Sequence, residues 1–178
     1  MSHPKLILYI ACSLDGYIAK PNDDLSFLDS MQIEGEDYGY NEFIATVDTV
    51  ILGRKTYDWV MERVPEFPHS DKKAYVITRS KRPDIGSTTF YSGDLTSLVT
   101  KLQEETGKNI FCDGGAEIVN ELLSASLIDE FIISMIPVLV GDGTRLFKDG
   151  RPEQLLELIS SKTFETGLTQ LHYKVAHK

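Results

Sequence analysis

The sequence predicts an α/β sandwich around a mainly parallel sheet of about eight strands, ending in an antiparallel hairpin. Three observations lead there. Short, almost purely apolar runs recur along the chain, as in strands covered on both faces. Between them lie segments whose apolar residues fall at helical spacing. Only the C-terminal stretch switches to alternation of apolar and polar residues, the mark of a strand with one wet face.

Each element can be justified in order. Residues 5–12, KLILYIAC, read as a first buried strand. SLDGYIAKPNDD, rich in Asp, Gly, Asn and Pro, reads as a long loop, and LSFLDSM as a helical turn. Tyr40, Phe43, Ile44 and Val47 share one face of a helix. DTVILG is a second buried strand, and RKTYDWVMERV a helix stopped by Pro65, with Tyr57 and Trp59 packing it on the sheet. KAYVIT, closed by RSKRPD, and STTFY are two more strands. Asp94 caps a helix with a stripe of Leu95, Leu98, Val99 and Leu102, and Gly107 stops it. NIFCDGGAEIVNELLSASLIDEFIISMIPVLVG repeats the theme: strand, double glycine, helix, then a long strand to Gly141. In the tail, Leu171, Tyr173 and Val175 alternate with Gln170, His172 and Lys174, and Gly167 marks the hairpin turn.

The totals fit one domain over residues 1–178: 42% of residues are hydrophobic, and no Pro/Gly/Ser-rich linker divides them. A net charge of −9 argues against nucleic acid as a partner, whose phosphates demand a basic face. No apolar run approaches the ~20 residues that span a bilayer, and MSHPKLILYIAC lacks a signal-peptide pattern, so a cytoplasmic location is expected. Cys12 and Cys112 show no metal-ligand spacing and read as buried fillers, so no metal site is predicted. His3, His69, His172 and His177 fall into no recognisable triad.

Chemistry concentrates at three strand ends. In VILGRKTYDWV, a glycine at a strand-to-helix junction permits close backbone approach, and Arg54, Lys55 and Thr56 follow at an anion-friendly helix N-terminus. In VITRSKRP, Thr78, Arg79 and Ser80 form a donor cluster at the end of the third strand. In FCDGGAEIV, Gly114 and Gly115 again precede a helix, without the spacing of a dinucleotide fingerprint or a Walker loop. Ligands of open α/β sheets lie beyond the carboxyl ends of strands, so these clusters together point to a nucleotide.

The ordered set ILYIACSLDGYIA, VILGRKTYDWV, AYVITRS, FCDGGAEIV and PVLVGDGTRLF resembles the dihydrofolate reductase superfamily. It looks closest to the branch of the reductase domain of the bifunctional riboflavin-biosynthesis deaminase-reductase. The resemblance implies a dihydrofolate reductase-like three-layer sandwich, NADPH as hydride donor, a small-molecule substrate and a homodimer. It implies that Gly53, Arg54, Lys55 and Thr56 hold the pyrophosphate and contribute to the 2′-phosphate site. Thr78, Arg79 and Ser80 would take the 2′-phosphoadenosine end. Gly114, Gly115, Ala116 and Glu117 would lie along the pyrophosphate, with a cis peptide between the glycines. Ala11 and Ile18 would frame the nicotinamide.

For the catalytic acid, the resemblance nominates Asp24 by one alignment and Asp37 by another, and both stay open. Asp113, where folate enzymes carry an apolar residue, is a candidate ligand of a polar substrate; the alternative is a helix cap. Thr144 falls near the substrate end by resemblance, Arg145 could meet an anionic group, and Asp15 either borders the site or orders its loop. The sequence carries no H-x-E with P-C-x-x-C, so it predicts no deaminase chemistry. The function expected is NADPH-dependent reduction of a small polar heterocycle, resembling 5-amino-6-(5-phosphoribosylamino)uracil reductase or dihydrofolate reductase. The alternative, motivated by the unassigned proton donor, is a non-catalytic NADPH-binding or sensing module.

Overall fold

The computed structural model describes residues 3–105 and 107–176, so His177 lies outside the described residues. The first apolar run forms strand β1 (Leu6–Ser13), and a short strand β2 (Tyr17–Ala19) follows inside the stretch expected to be loop. Two 3-10 turns, Pro21–Asp23 and Ser26–Met31, lead to helix α1 (Tyr40–Ile44). Strand β3 (Val47–Gly53), helix α2 (Arg54–Met61) and strands β4 (Lys73–Ile77) and β5 (Thr88–Tyr91) come next. Helix α3 (Leu95–Glu105), strand β6 (Asn109–Gly114), helix α4 (Ala116–Ser124) and strand β7 (Glu130–Ile136) follow. Strand β8 (Thr144–Arg145) pairs with β2, while β9 (Leu156–Thr163) and β10 (Thr169–Val175) form the terminal hairpin.

The main sheet has eight strands in the order β5-β4-β3-β6-β1-β7-β10-β9. The pairings from β5 to β7 are parallel, and those of β7 with β10 and of β10 with β9 are antiparallel. This is the mainly parallel sheet with a closing hairpin that the hydrophobic pattern predicts.

Successive strand residues feed opposite cores. Leu6, Leu8, Ile51, Ile110 and Cys112 pack with Leu98, Val99 and Leu102 of α3 and Val119 and Leu122 of α4. Ile7, Val50, Leu52, Val76 and Phe111 pack on the other face with Phe43 of α1 and Tyr57 of α2. Both faces being covered is why these strands read as unbroken apolar runs. Each fully buried Leu or Ile contributes about 1.5–3 kcal/mol.

Four expectations need correction. Val47, expected on one helix face with Tyr40, Phe43 and Ile44, instead opens β3, because α1 ends at Ile44. The strand predicted to reach Gly141 stops at Ile136, because Pro137 has no N–H to continue the ladder. The Val140 and Gly141 N–H groups instead donate to the Asp15 carboxylate at 3.0 and 2.7 Å. Trp59 does not pack inward with Tyr57; it is half-buried beneath the Arg63 guanidinium, which stacks 3.8 Å from the ring centroid. The hairpin is not wet on one face only, since every residue of β9 is exposed.

One irregularity of the sheet positions the site. β1 and β6 are paired only over Leu6–Leu8, ending at Leu8↔Cys112. Beyond that point β1 continues against β7 as far as Ser13↔Ile136, while β6 continues against β3 to Leu52↔Gly114. The sheet therefore forks at its carboxyl edge, between Ile10 on one tine and Asp113 and Gly114 on the other.

Candidate active site

The phosphate-facing residues expected from the sequence are brought together. β4, β3 and β6 are consecutive parallel strands, so their carboxyl ends, Ile77, Gly53 and Gly114, sit side by side beside the fork. A Cβ on Gly53 would stand 3.1 Å from Ile118 Cγ1 of α4, and one on Gly115 would stand 3.2 Å from Thr56 Oγ1 of α2. The two glycine junctions are thus one continuous surface. The Gly114–Gly115 peptide is cis, and Gly114 has φ of +96°, a conformation that glycine alone adopts cheaply. Gly53 and Gly115 are the N-caps of α2 and α4, and neither helix start carries a side-chain cap. Their first-turn N–H groups are therefore open to an anion. Ala116 and Glu117 begin α4, with Ala116 buried and Glu117 exposed.

The cations differ in their commitments. Arg54 Nη1 lies 2.9 Å from Asp58 Oδ2, and Arg82 Nη1 lies 3.0 Å from Asp58 Oδ1. Arg79 and Lys55 are exposed and have no ion-pair partner among the described residues. The Thr78 hydroxyl accepts the Ser80 N–H at 3.1 Å, a local turn that fixes the backbone on either side of Arg79. The residues present fit a phosphorylated dinucleotide: bare helix starts, close-approach glycines and an uncommitted guanidinium.

Asp15 orders its loop. Besides binding the Val140 and Gly141 amides, it accepts the Ser13 hydroxyl at 2.5 Å, and these bonds hold its carboxyl low, at about 2. Ser13 Oγ in turn accepts the Tyr17 N–H at 2.9 Å. The small β2–β8 sheet completes this wall. Thr144 pairs opposite Ala19, and the Arg145 guanidinium sits 5.0 Å over the Tyr17 ring. Gly143, at φ +136°, admits no side chain, because a Cβ would fall 2.1 Å from Ala19 O. Ala11 and Ile18, on β1 and β2, are both half-buried.

The three candidate acids stand in contrasting environments. Asp24 is exposed, accepts the Ser26 N–H at 2.8 Å and pairs with Lys20; the Ser26 bonds lower its pKa. Asp37 is exposed and accepts the Asn41 and Gly39 N–H groups at 3.0 and 2.9 Å, which lower its pKa too. Both are anions occupied with backbone donors. Asp113 differs: burial pushes its carboxyl up to about 6, although 29% of its side chain still meets solvent. It does not cap α4, whose N-cap is Gly115.

His69, which the sequence pattern passed over, lies beside Asp113. Its Nε2 is 3.8 Å from Asp113 Oδ2, and its buried ring stands edge-on to Phe67 and Phe111. Tyr40 of α1 also faces this carboxylate: burial first, and the Asp113 charge second, raise its phenol well above the ordinary range. No signal in the sequence joins residues 40, 69 and 113, which arrive from a helix, a loop and a strand. Among the described residues, no group of three or more His, Cys, Asp or Glu has metal-binding proximity, and no helix is long and apolar enough to cross a membrane.

Comparison with known proteins agrees with the resemblance. The sequence pattern of the RibD C-terminal domain family matches residues 4–170. The chain is 45% identical over 172 residues to the uncharacterized protein YwjB of Bacillus subtilis (strain 168), covering 95% of this chain and 97% of that protein. A Shewanella sp. PV-4 protein assigned provisionally to riboflavin biosynthesis superposes with a TM-score of 0.87 at 29% identity, over 97% of this chain and 99% of that one. The Thermotoga maritima diaminohydroxyphosphoribosylaminopyrimidine deaminase/5-amino-6-(5-phosphoribosylamino)uracil reductase shares the fold, with a TM-score of 0.71 at 14% identity. That match covers 98% of this chain and 57% of the Thermotoga one. The fold is the dihydrofolate reductase-like sandwich, and the chain belongs to the RibD C-terminal domain family.

Proposed function

We propose that this protein is an NADPH-dependent reductase of a small polar heterocycle, working in the cytoplasm. The observation that carries the reading is the run of neighbouring strand ends, Ile77, Gly53 and Gly114, opening onto the fork between β1 and β6. Gly53, Arg54, Lys55 and Thr56 would hold the pyrophosphate with Gly114, Gly115, Ala116 and Glu117. Thr78, Arg79 and Ser80 would hold the 2′-phosphoadenosine, for which the uncommitted Arg79 fork is suited. Ala11 and Ile18 would border the nicotinamide. NADPH supplies a hydride when bound, and the chain's residues do the rest.

Reduction of a C=N or C=O bond consumes a proton as well as a hydride. Asp113 is the acid best placed to provide it, since a carboxyl near 6 still carries its proton in about a tenth of molecules at neutral pH. Asp24 and Asp37, held as anions by backbone amides, order the loop instead. Thr144 would orient the substrate from the β8 side. A polar carboxyl beside the double glycine favours a hydrogen-bonding substrate over a flat apolar one.

Calorimetry with NADPH and NADH tests the coenzyme. Following coenzyme oxidation with 5-amino-6-(5-phosphoribosylamino)uracil and with dihydrofolate tests the reaction. NADPH binding without oxidation by any acceptor would favour the sensing module; no binding at all would end the proposal.

A homodimer also follows as a proposal. Leu155, Leu156, Leu158 and Ile159 are exposed in and beside β9, the open edge of the sheet. Sedimentation showing a monomer at micromolar concentration would remove it.

A further inference from the structure

We propose that His69 is the positioning residue of this site, holding Asp113 and sharing one proton with it. Its catalytic use rests on the reductase reading; the pairing itself does not. Phe67 and Phe111 clamp the imidazole edge-on at centroid distances of 5.3 and 5.8 Å, and its Nε2 lies 3.8 Å from the Asp113 carboxylate. That separation is an ion-pair distance rather than a hydrogen bond.

The surroundings bring the two groups' proton affinities together. Burial lowers the imidazole's pKa from its ordinary value, against the raising charge of Asp71 and with the lowering charge of Lys72. Burial raises Asp113 toward the same range. From the other elements, Tyr40 of α1 faces Asp113, and Tyr9 of β1 faces Tyr40; both phenols are raised by burial and stay protonated. Cys112, beside Asp113 in the chain, points to the opposite core with its thiol pushed up to about 12. Of these groups, His69 and Asp113 are the two whose proton affinities approach one another across the 3.8 Å contact, and a coupled titration is the consequence proposed.

The step balances. Asp113 gives its proton to the substrate atom next to the carbon that receives the hydride, and becomes a carboxylate. The pair, now without a proton, takes one from solvent: neutral His69 accepts it at Nε2 and passes it to the Asp113 carboxylate. The substrate implied is one whose protonated heteroatom, beside the carbon that takes the hydride, ends as N–H or O–H within reach of β6.

Nuclear magnetic resonance titration of the His69 ring in the full chain tests this. An anionic neighbour raises the imidazole midpoint, so Asp113→Asn should lower it by about one pH unit. In His69→Gln, the Asp113 carboxyl carbon should titrate higher than in the wild type, which covers failure of the first variant to fold. Unmoved midpoints in both overturn the pairing. NADPH calorimetry on the same samples separates the two claims. Coupled midpoints without NADPH binding would sink the reductase reading and leave the pair. Uncoupled midpoints with NADPH binding would do the reverse.

Discussion

The glycine-rich edge of the sheet and the fork beside it are built on different principles. At the edge, the coenzyme contacts proposed above are backbone and residues adjacent in sequence: Gly53 to Thr56, Thr78 to Ser80, and Gly114 to Glu117. At the fork, the polar groups come from β6, from the loop before β4 and from α1, and they meet only because the chain folds. Charge follows the same division. The edge keeps Arg79 and Lys55 exposed in an acidic chain, whereas the fork buries a carboxyl and an imidazole against aromatic rings.

The largest expected effect tests whether the two regions do separate jobs. Asp113→Asn should lower turnover by about 100-fold or more, the scale of a lost general acid. NADPH affinity should stay within about twofold, because the phosphate contacts proposed above involve no β6 side chain. Steady-state oxidation and calorimetry on one preparation read both quantities. A variant that loses coenzyme affinity as well would show that fork and edge are one unit.

That division also explains what could be read from sequence. The sheet was legible because strands covered on both faces must be apolar throughout, as in KLILYIAC and DTVILG. The glycine junctions were legible because a strand-to-helix turn that leaves the helix start without a side-chain cap is a local object. His69 was not, since it lies in loop sequence and its significance comes from Asp113, far away in the chain. The end of β7 was misjudged because PVLVG looks like strand; Pro137 and the distant Asp15 decide otherwise. Asp24 and Asp37 looked equivalent because each carries a carboxylate beside a turn, and only their hydrogen bonds show what each one does.

The next effect sharpens the edge side of the comparison. Arg79→Ala should weaken NADPH by about tenfold or more, the value of one charge-assisted contact to a phosphate, and leave NADH almost unchanged. Arg54→Ala should show less discrimination, since Arg54 already shares Asp58 with Arg82. Equal losses for the two coenzymes in Arg79→Ala would take the 2′-phosphate away from Arg79.

Stability against pH separates the fork from the loop that walls it. Asp113 has a folded pKa near 6, above its unfolded value, so the folded state binds more protons between about pH 4 and 6. Its contribution to stability is therefore present below that window and lost as pH rises through it. Asp15 has the opposite sign: with its carboxyl held at about 2, it stabilises above the unfolded value and loses this as pH falls. Asp113→Asn should flatten the decline toward neutral pH in urea unfolding curves, and Asp15→Asn should flatten the acid limb. Identical pH profiles for both variants would mean that burial of Asp113 has no energetic consequence.

The smallest effect concerns the acids that the resemblance nominates. Asp37, two residues before the Gly39 N-cap of α1, accepts two backbone N–H groups at the start of this five-residue helix and so fixes the turn that leads into it. Asp37→Ala should lower the melting temperature by a few degrees, as expected for hydrogen bonds lost at the start of a short element. Coenzyme affinity should not move, and turnover should fall by no more than about threefold, through displacement of Tyr40 at the far end of the Asp113 cluster. Asp24→Ala, whose carboxylate serves the Ser26 turn, should do still less. A drop in turnover comparable with that of Asp113→Asn would move the proton donor from the strand to the helix, and the fork would then hold the substrate rather than protonate it.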